Sequence, residues 1–230
     1  MCRSASRGQP ARRCATSREK ETARKRKYRA FKKIQGQIAQ FIEENGERWV
    51  GDYKLDSMSS PKVARAMLIA YEAHKGVDRK TGEPYVNHVL RVAKRLQDAG
   101  FNSNVISVAV LHDAVEDSDL TLDDLRREGF NEMIVSGVDS VTKREGEAYE
   151  DAIARAASHP IGRLVKLSDN LDNTSPSQLT PFDEARKARA LRKYAPAKEL
   201  LRSIINPENA RPLTMRGTFT MKFLFEDDRD

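Results

Sequence analysis

The sequence predicts an all-α protein, and three observations carry that reading. Apolar residues recur at spacings of three and four through most of the chain from residue 28 onward. No stretch of useful length alternates apolar and polar residues with the period of two that a half-buried strand requires. Proline, serine, threonine and glycine fall where helix starts and stops place them.

Each element follows from those signals. Residues 28–45 form a basic amphipathic helix, with Phe31, Ile34, Ile38 and Ile42 on one side and Gly46 to end it. Ser59 and Ser60 are candidate caps for a second helix whose first turn tolerates Pro61. Val63, Met67, Ala70, Tyr71 and His74 then follow one face. Residues 76–83 are a charged loop. Pro84 restarts a helix to about Ala99, apolar at Val86, Val89, Leu90, Val92, Ala93 and Leu96. Residues 104–115 make the most apolar helix, which carries His112 and Asp113 near its end. Thr121 opens another, with Asp124 three residues on as a capping-box acid. Four more span 132–141, 148–158, 162–171 and 182–205, and residues 214–225 read as extended.

Composition narrows the class. The chain has 230 residues, of which 39% are hydrophobic, enough for a sizeable core. Its longest apolar run, 105–111, stops at His112, far short of a membrane span. No apolar stretch follows the basic N-terminus, so no secretory signal is expected. Cys2 and Cys14 both lie near the N-terminus, leaving the folded part without a disulfide or thiolate metal site, which suits the cytoplasm.

The net charge of +7 is unevenly held. Residues 1–33 contain 13 of the 41 Lys and Arg but only two of the 34 acids, Glu19 and Glu21, a local balance of +11. The rest is mildly acidic at −4, so the total is no sign of a nucleic-acid-binding domain. The chain therefore divides into a basic disordered extension at 1–33, an amphipathic helix and linker at 34–57, a folded domain at 58–206 and a tail at 207–230. The extension reads first as solvated. Its acid-free, Arg/Ser-rich first 18 residues also suit a transit peptide, and an arm for nucleic acid is less favoured because no aromatics are interleaved. A homo-oligomer is compatible with the sequence.

Of four histidines, His112 heads the string LHDAVED. On a helix His112 and Glu116 are four apart, as are Asp113 and Asp117, so these polar groups share a side. A buried helix ending in four such groups is costly without a counter-cation, although spacing alone fits a solvated helix end equally well. His88 lies on another apolar helix and Asp169 ends a third. Two nitrogen and two oxygen donors, with room for water, suit Mn²⁺ or another octahedral divalent ion better than a closed zinc site.

Four strings appear in order: AYEAHKGVDRKTGEPYVNH, VAVLHDAVEDSDLTLDDL, VDSVTK and VKLSDNLDN. In these the sequence resembles the HD-domain phosphohydrolases, and among them the hydrolase domain of RelA/SpoT-type enzymes and their small stand-alone relatives. Those enzymes hydrolyse the alarmone (p)ppGpp to GDP or GTP and pyrophosphate. The resemblance covers residues 63–173 and implies an HD-domain helical bundle with a metal site between helices, within 58–206. It implies that His88, His112, Asp113 and Asp169 bind Mn²⁺ and that Glu116 and Asp117 position or deprotonate the attacking water. It implies further that Arg79 and Lys80 meet the nucleotide, that Lys143 assists phosphate binding or holds the site together, and that Asn173 contacts the nucleoside. Tyr85, just after the basic loop, is expected to line the site.

Two departures stand out. Val89 follows the first metal histidine where the family commonly has proline, and TSPSQL follows Asn173 where an Arg/Thr pair is usual. Nothing resembles the alarmone synthetase domain, which implies hydrolysis without synthesis. Rival readings are an HD phosphohydrolase for another nucleotide, such as an adenine alarmone, a nucleoside monophosphate or NADPH, and a catalytically silent nucleotide-binding module. His74 is expected to pack or hydrogen-bond, and His159, before Pro160, to sit on the surface at a helix end.

Overall fold

The structure, a computed structural model, describes residues 60–215 together with Thr22 and Gly36. Apart from Thr22 and Gly36, the basic extension and the helix expected at 28–45 lie outside the described residues, as does most of the extended stretch from 214. The described chain is helical, with only two isolated β-bridges. None of its helices is long and apolar enough to cross a membrane.

α1 (Pro61–Ala73) starts at its proline behind Ser60 and buries Val63, Met67, Ala70 and Tyr71, as the spacing predicts. α2 (Tyr85–Asp98) buries His88 along with Val89, Leu90, Val92, Ala93 and Leu96. α3 (Ser103–Leu111) is capped by Asn102, whose side chain accepts from the N–H groups of Asn104 and Val105. Every residue from 105 to 111 is buried, so α3 is covered on all sides and forms the centre of the core. Each large aliphatic side chain buried there contributes about 1.5–3 kcal/mol. α4 (Leu122–Arg127) carries the capping box of Thr121 and Asp124, and α5 (Glu132–Val141) is capped by Asn131.

α6 (Tyr149–Ser158) leads into α7 (Gly162–Asn173), followed by the short α8 (Pro176–Leu179) and the long α9 (Glu184–Ile204). α10 (Pro207–Ala210) and a 3₁₀ turn (Arg211–Leu213) close the described chain. α3 packs against α1, α2, α5 and α7, while α7 also meets α2, α6 and α9. That arrangement brings the C-terminal end of α3, the first turn of α2 and the last turns of α7 to one place. Residues assigned to the tail by sequence lie against the corner between α2 and α3: Asn102 N–H donates to the Leu213 carbonyl at 2.8 Å, and Thr214 bridges Phe101.

Three details differ from expectation. α3 stops at Leu111 instead of running to 115, and there Ala109 O accepts from the His112 ring Nδ1 at 2.8 Å. The segment 112–116 continues as turns. α8 was not foreseen; Pro176 starts it after Ser175. His159 is half-buried and structural: its Nδ1 accepts from the N–H groups of Ile161 and Gly162 at 3.2 and 3.1 Å, and Nε2 pairs with Ser136 Oγ at 3.2 Å. It serves as the cap that α7 otherwise lacks.

Candidate active site

His88 comes from the first turns of α2, His112 and Asp113 from the turn ending α3, and Asp169 from the middle of α7. The packing of those three elements brings all four side chains together. His112 Nε2 lies 3.1 Å from Asp113 Oδ2 and 3.9 Å from Asp169 Oδ1. His88 Nε2 lies 3.3 Å from Asp169 Oδ1 and 3.7 Å from Asp113 Oδ2. His88, His112 and Asp113 by themselves form a group able to hold a metal ion.

The donor allocation tests whether a cation fits. His112 gives its Nδ1 proton to Ala109 O, so its Nε2 presents a lone pair. That nitrogen is fully buried, makes no hydrogen bond and faces a carboxylate. Two buried acceptors turned on one another need positive charge between them. The two imidazoles and two carboxylates therefore fit a divalent cation. Where no cation is bound, His88 is carried against its burial up to about 9 by hydrogen bonds to Asp169 and Asp172, so a proton there takes up part of the charge a cation would bring.

A charged shell supports the four. Asp169 Oδ2 pairs with Lys166 Nζ at 2.9 Å, and Oδ1 accepts from Asn173 Nδ2 at 2.6 Å. Asn173 Oδ1 in turn accepts from Arg79 Nη2 at 2.6 Å. Arg79 is placed by a turn in which Gly82 N–H donates to the Arg79 carbonyl at 2.8 Å, with Gly82 at φ +85°. The Tyr85 hydroxyl reaches Asp113 Oδ2 at 2.8 Å, and its ring stacks on His74 at 4.7 Å. His74 is buried with neither ring nitrogen hydrogen-bonded, so it packs, and burial pushes it down to about 4.

The acidic pair divides. Asp117 faces the cleft, 3.9 Å from His74, and its carboxyl is pushed up to about 6 by burial and by the charges of Asp113 and Glu116. Glu116 turns away and accepts from the Lys143 backbone N–H at 3.0 Å. Lys143 is exposed beyond α5 and does not line the cleft.

That cleft, of about 480 Å³, opens beside the cluster. Arg79, Lys80, Tyr85, Asp117 and Asn173 line it, as the sequence suggests for all five. Its far wall holds residues sequence reading passed over: Gln178, Phe182, Arg186 and Tyr194. The Arg186 guanidinium lies 3.8 Å above the Phe182 ring. Asp172 was also missed, although it stands in the DNLDN string; it hydrogen-bonds His88 Nδ1 at 2.7 Å.

Fold and site together define a class: an all-α domain with a cluster of two histidines and two aspartates at the edge of a basic cleft. The chain belongs to the HD domain family, whose model matches residues 66–195. It is 34% identical over 167 residues to the guanosine-3′,5′-bis(diphosphate) 3′-pyrophosphohydrolase of Aquifex aeolicus, covering 67% of this chain and 23% of that protein. It is also 34% identical over 156 residues to the GTP pyrophosphokinase of Streptomyces coelicolor, covering 63% of this chain and 18% of that one. The chain thus spans under a quarter of the length of these relatives. A solved structure described as a metazoan ortholog of SpoT that hydrolyzes ppGpp shares the fold, with a TM-score of 0.55 and 24% identity over 66% of this chain and 96% of that one. The resemblance read from the motifs is borne out as a family relation.

Proposed function

We propose that this chain is a divalent-cation-dependent hydrolase that removes the 3′-pyrophosphate of (p)ppGpp, giving GDP or GTP and pyrophosphate, without synthetase activity. The observation that carries the reading is the buried, unpartnered His112 Nε2 facing Asp113 and Asp169 at the edge of a cleft lined by Arg79 and Lys80. In this reading His88, His112, Asp113 and Asp169 hold the ion, Mn²⁺ being the expected one, and residues 58–206 are the hydrolase domain. The similarity to (p)ppGpp hydrolases supports the choice of substrate.

A divalent cation held there supplies Lewis acidity, lowering the pKa of water and drawing charge from a phosphate oxygen. The chain's own residues do the rest. Arg79 and Lys80 neutralise and orient the phosphates, with Arg79 preset by its bonds to Asn173 and Gln178. Asp117, with a carboxyl poised near neutrality, takes the proton of the attacking water. The water oxygen bonds to phosphorus, the bond from phosphorus to O3′ breaks, O3′ takes a proton from solvent, and Asp117 returns to solvent the proton it took. Glu116, tied to the Lys143 backbone, holds the turn that carries Asp117. Phe182 and Tyr194, with the Arg186 guanidinium over the Phe182 ring, offer the base a stacking wall.

The test is incubation of the purified chain with ppGpp and Mn²⁺, products separated by anion exchange, with Asp113→Ala and a chelator-treated sample beside it. GDP and pyrophosphate from the Mn²⁺-loaded wild type alone support the reading. Turnover of AMP, ATP or NADPH instead of ppGpp moves the substrate elsewhere, and no turnover with no bound metal overturns the enzyme.

A further inference from the structure

Asp172 is buried on α7, one turn beyond Asp169, with its side chain 3% exposed. A buried carboxylate is costly unless donors satisfy it. Three side chains do so here. Oδ2 accepts from His88 Nδ1 at 2.7 Å, Arg91 Nη2 at 3.1 Å and Arg79 Nη1 at 3.1 Å, while Oδ1 accepts from Arg91 Nε at 2.6 Å. Arg91 also grips Glu83 through both terminal nitrogens at 2.7 Å, and Glu83 closes the loop that carries Arg79 and Lys80.

We infer that Asp172 is a positioning residue that orients His88 as a metal ligand and, through the same carboxylate, sets Arg79 in the cleft. The inference rests on the cation site proposed above. Its physical basis is the tautomer of His88. Neutral imidazole carries one proton, and Asp172 draws it to Nδ1, leaving the Nε2 lone pair toward Asp113 and Asp169. Without Asp172 the favoured place for that proton is Nε2, where Asp169 Oδ1 waits at 3.3 Å. A proton there occupies the direction a cation needs. Arg91 holds the carboxylate from behind, so Asp172 cannot swing away from the ring.

The coupling to Arg79 gives the idea a signature that a general packing role lacks. Losing Asp172 frees one of the contacts on Arg79 Nη1 and alters His88 at the same time, whereas losing Arg79 leaves the bond between His88 and Asp172 intact. Arg91 keeps Glu83, and Arg79 keeps Gln178 and Asn173, so neither guanidinium is stranded by the change.

The experiment is Mn²⁺ titration of the full chain without nucleotide, followed by the electron paramagnetic resonance of free Mn²⁺, for wild type, Asp172→Ala, Asp172→Asn and Arg79→Ala. Asp172→Ala is expected to bind Mn²⁺ about 10–100-fold more weakly, with Asp172→Asn, which keeps an acceptor oxygen, between it and wild type. Arg79→Ala, which keeps the bond between His88 and Asp172, is expected to weaken Mn²⁺ binding less than Asp172→Ala does. Long-range ¹⁵N spectra of metal-free protein at about pH 10, above the His88 value of about 9, should place its one remaining proton on Nδ1 in wild type and move it toward Nε2 in Asp172→Ala. If Asp172→Ala does not fold, Asp172→Asn carries both readouts. Wild-type Mn²⁺ affinity in the Asp172 variants overturns the inference while leaving the cation site standing. A wild type that takes up no divalent ion overturns the site itself, and the positioning role with it.

Discussion

The Tyr85 hydroxyl donates to Asp113 Oδ2 at 2.8 Å, and that same oxygen lies 3.1 Å from His112 Nε2. One oxygen thus meets a proton donor from the cleft and a buried histidine nitrogen from the core. Tyr85→Phe removes the donor but keeps the ring stacked on His74. We expect Mn²⁺ affinity to fall about 10-fold with folding intact, since outer-shell bonds of this kind carry about that much. Metal titration beside a thermal melt checks it.

Asp117 should separate chemistry from metal binding. In the proposed mechanism Asp117→Asn removes the proton acceptor and leaves His88, His112, Asp113 and Asp169 unchanged. The expected result is a kcat lower by about 10²–10⁴-fold, with Mn²⁺ affinity unchanged. Weakened Mn²⁺ binding in this variant would reassign Asp117 to the metal shell.

Arg79→Ala should act on substrate capture. Its guanidinium is preset by Asp172, Gln178 and Asn173 and offers charge-assisted bonds to phosphate. Such bonds contribute about 1.5–3 kcal/mol, so KM for ppGpp should rise roughly 10–100-fold while kcat changes less. Steady-state kinetics at fixed ionic strength reads the split, and a pure kcat effect would contradict it.

His159 should make part of the stability depend on pH. Burial, followed by the nearby Arg163 charge, lowers its pKa below the ordinary histidine value, and its Nδ1 must stay unprotonated to accept from Ile161 and Gly162. The unfolded chain therefore binds the proton first. The contribution is full above the unfolded pKa of about 6.5 and is lost as pH falls through the lower folded value. His159→Ala should cost about 1 kcal/mol at neutral pH through the lost cap. Denaturant midpoints at pH 7 and pH 5 should show the gap between wild type and variant narrowing in acid.

Gly162→Ala should destabilise without altering the site. A Cβ at Gly162 would collide with Ser140 Oγ and press on the Ala156 backbone carbonyl at 3.0 Å. Overpacking against a helix backbone costs about 1–3 kcal/mol. Urea denaturation measures it, and an unchanged midpoint would mean that α6 and α7 can separate at little cost.

Much of the fold was legible along the chain because its signals are local. The 3–4 spacing from Val63 to Tyr71 and from Val86 to Leu96 marks the buried faces of α1 and α2, and Thr121 with Asp124 marks the start of α4. The histidines and acids of the cluster were legible as residue types that are costly to bury without a counter-charge. The roles proposed for them came from motif order and not from spacing, since α3 ends at Leu111 and 112–116 continue as turns, where the Asp117 N–H to Asp113 carbonyl bond at 2.9 Å keeps only part of the helical register.

What sequence alone determined is the helical class, most helix limits and the candidate donors, since periodicity and capping act between residues a few positions apart. Only the tertiary structure decided that Asp172 meets His88 across 84 positions, that Arg79 meets Asn173 across 94, and that Phe182, Arg186 and Tyr194 face the cleft. It also decided that Glu116 turns toward Lys143 and that His159 caps α7. Those outcomes depend on which donor each buried acceptor finds once α2, α3, α7 and α9 are packed together, and a periodic pattern along the chain carries no record of that choice.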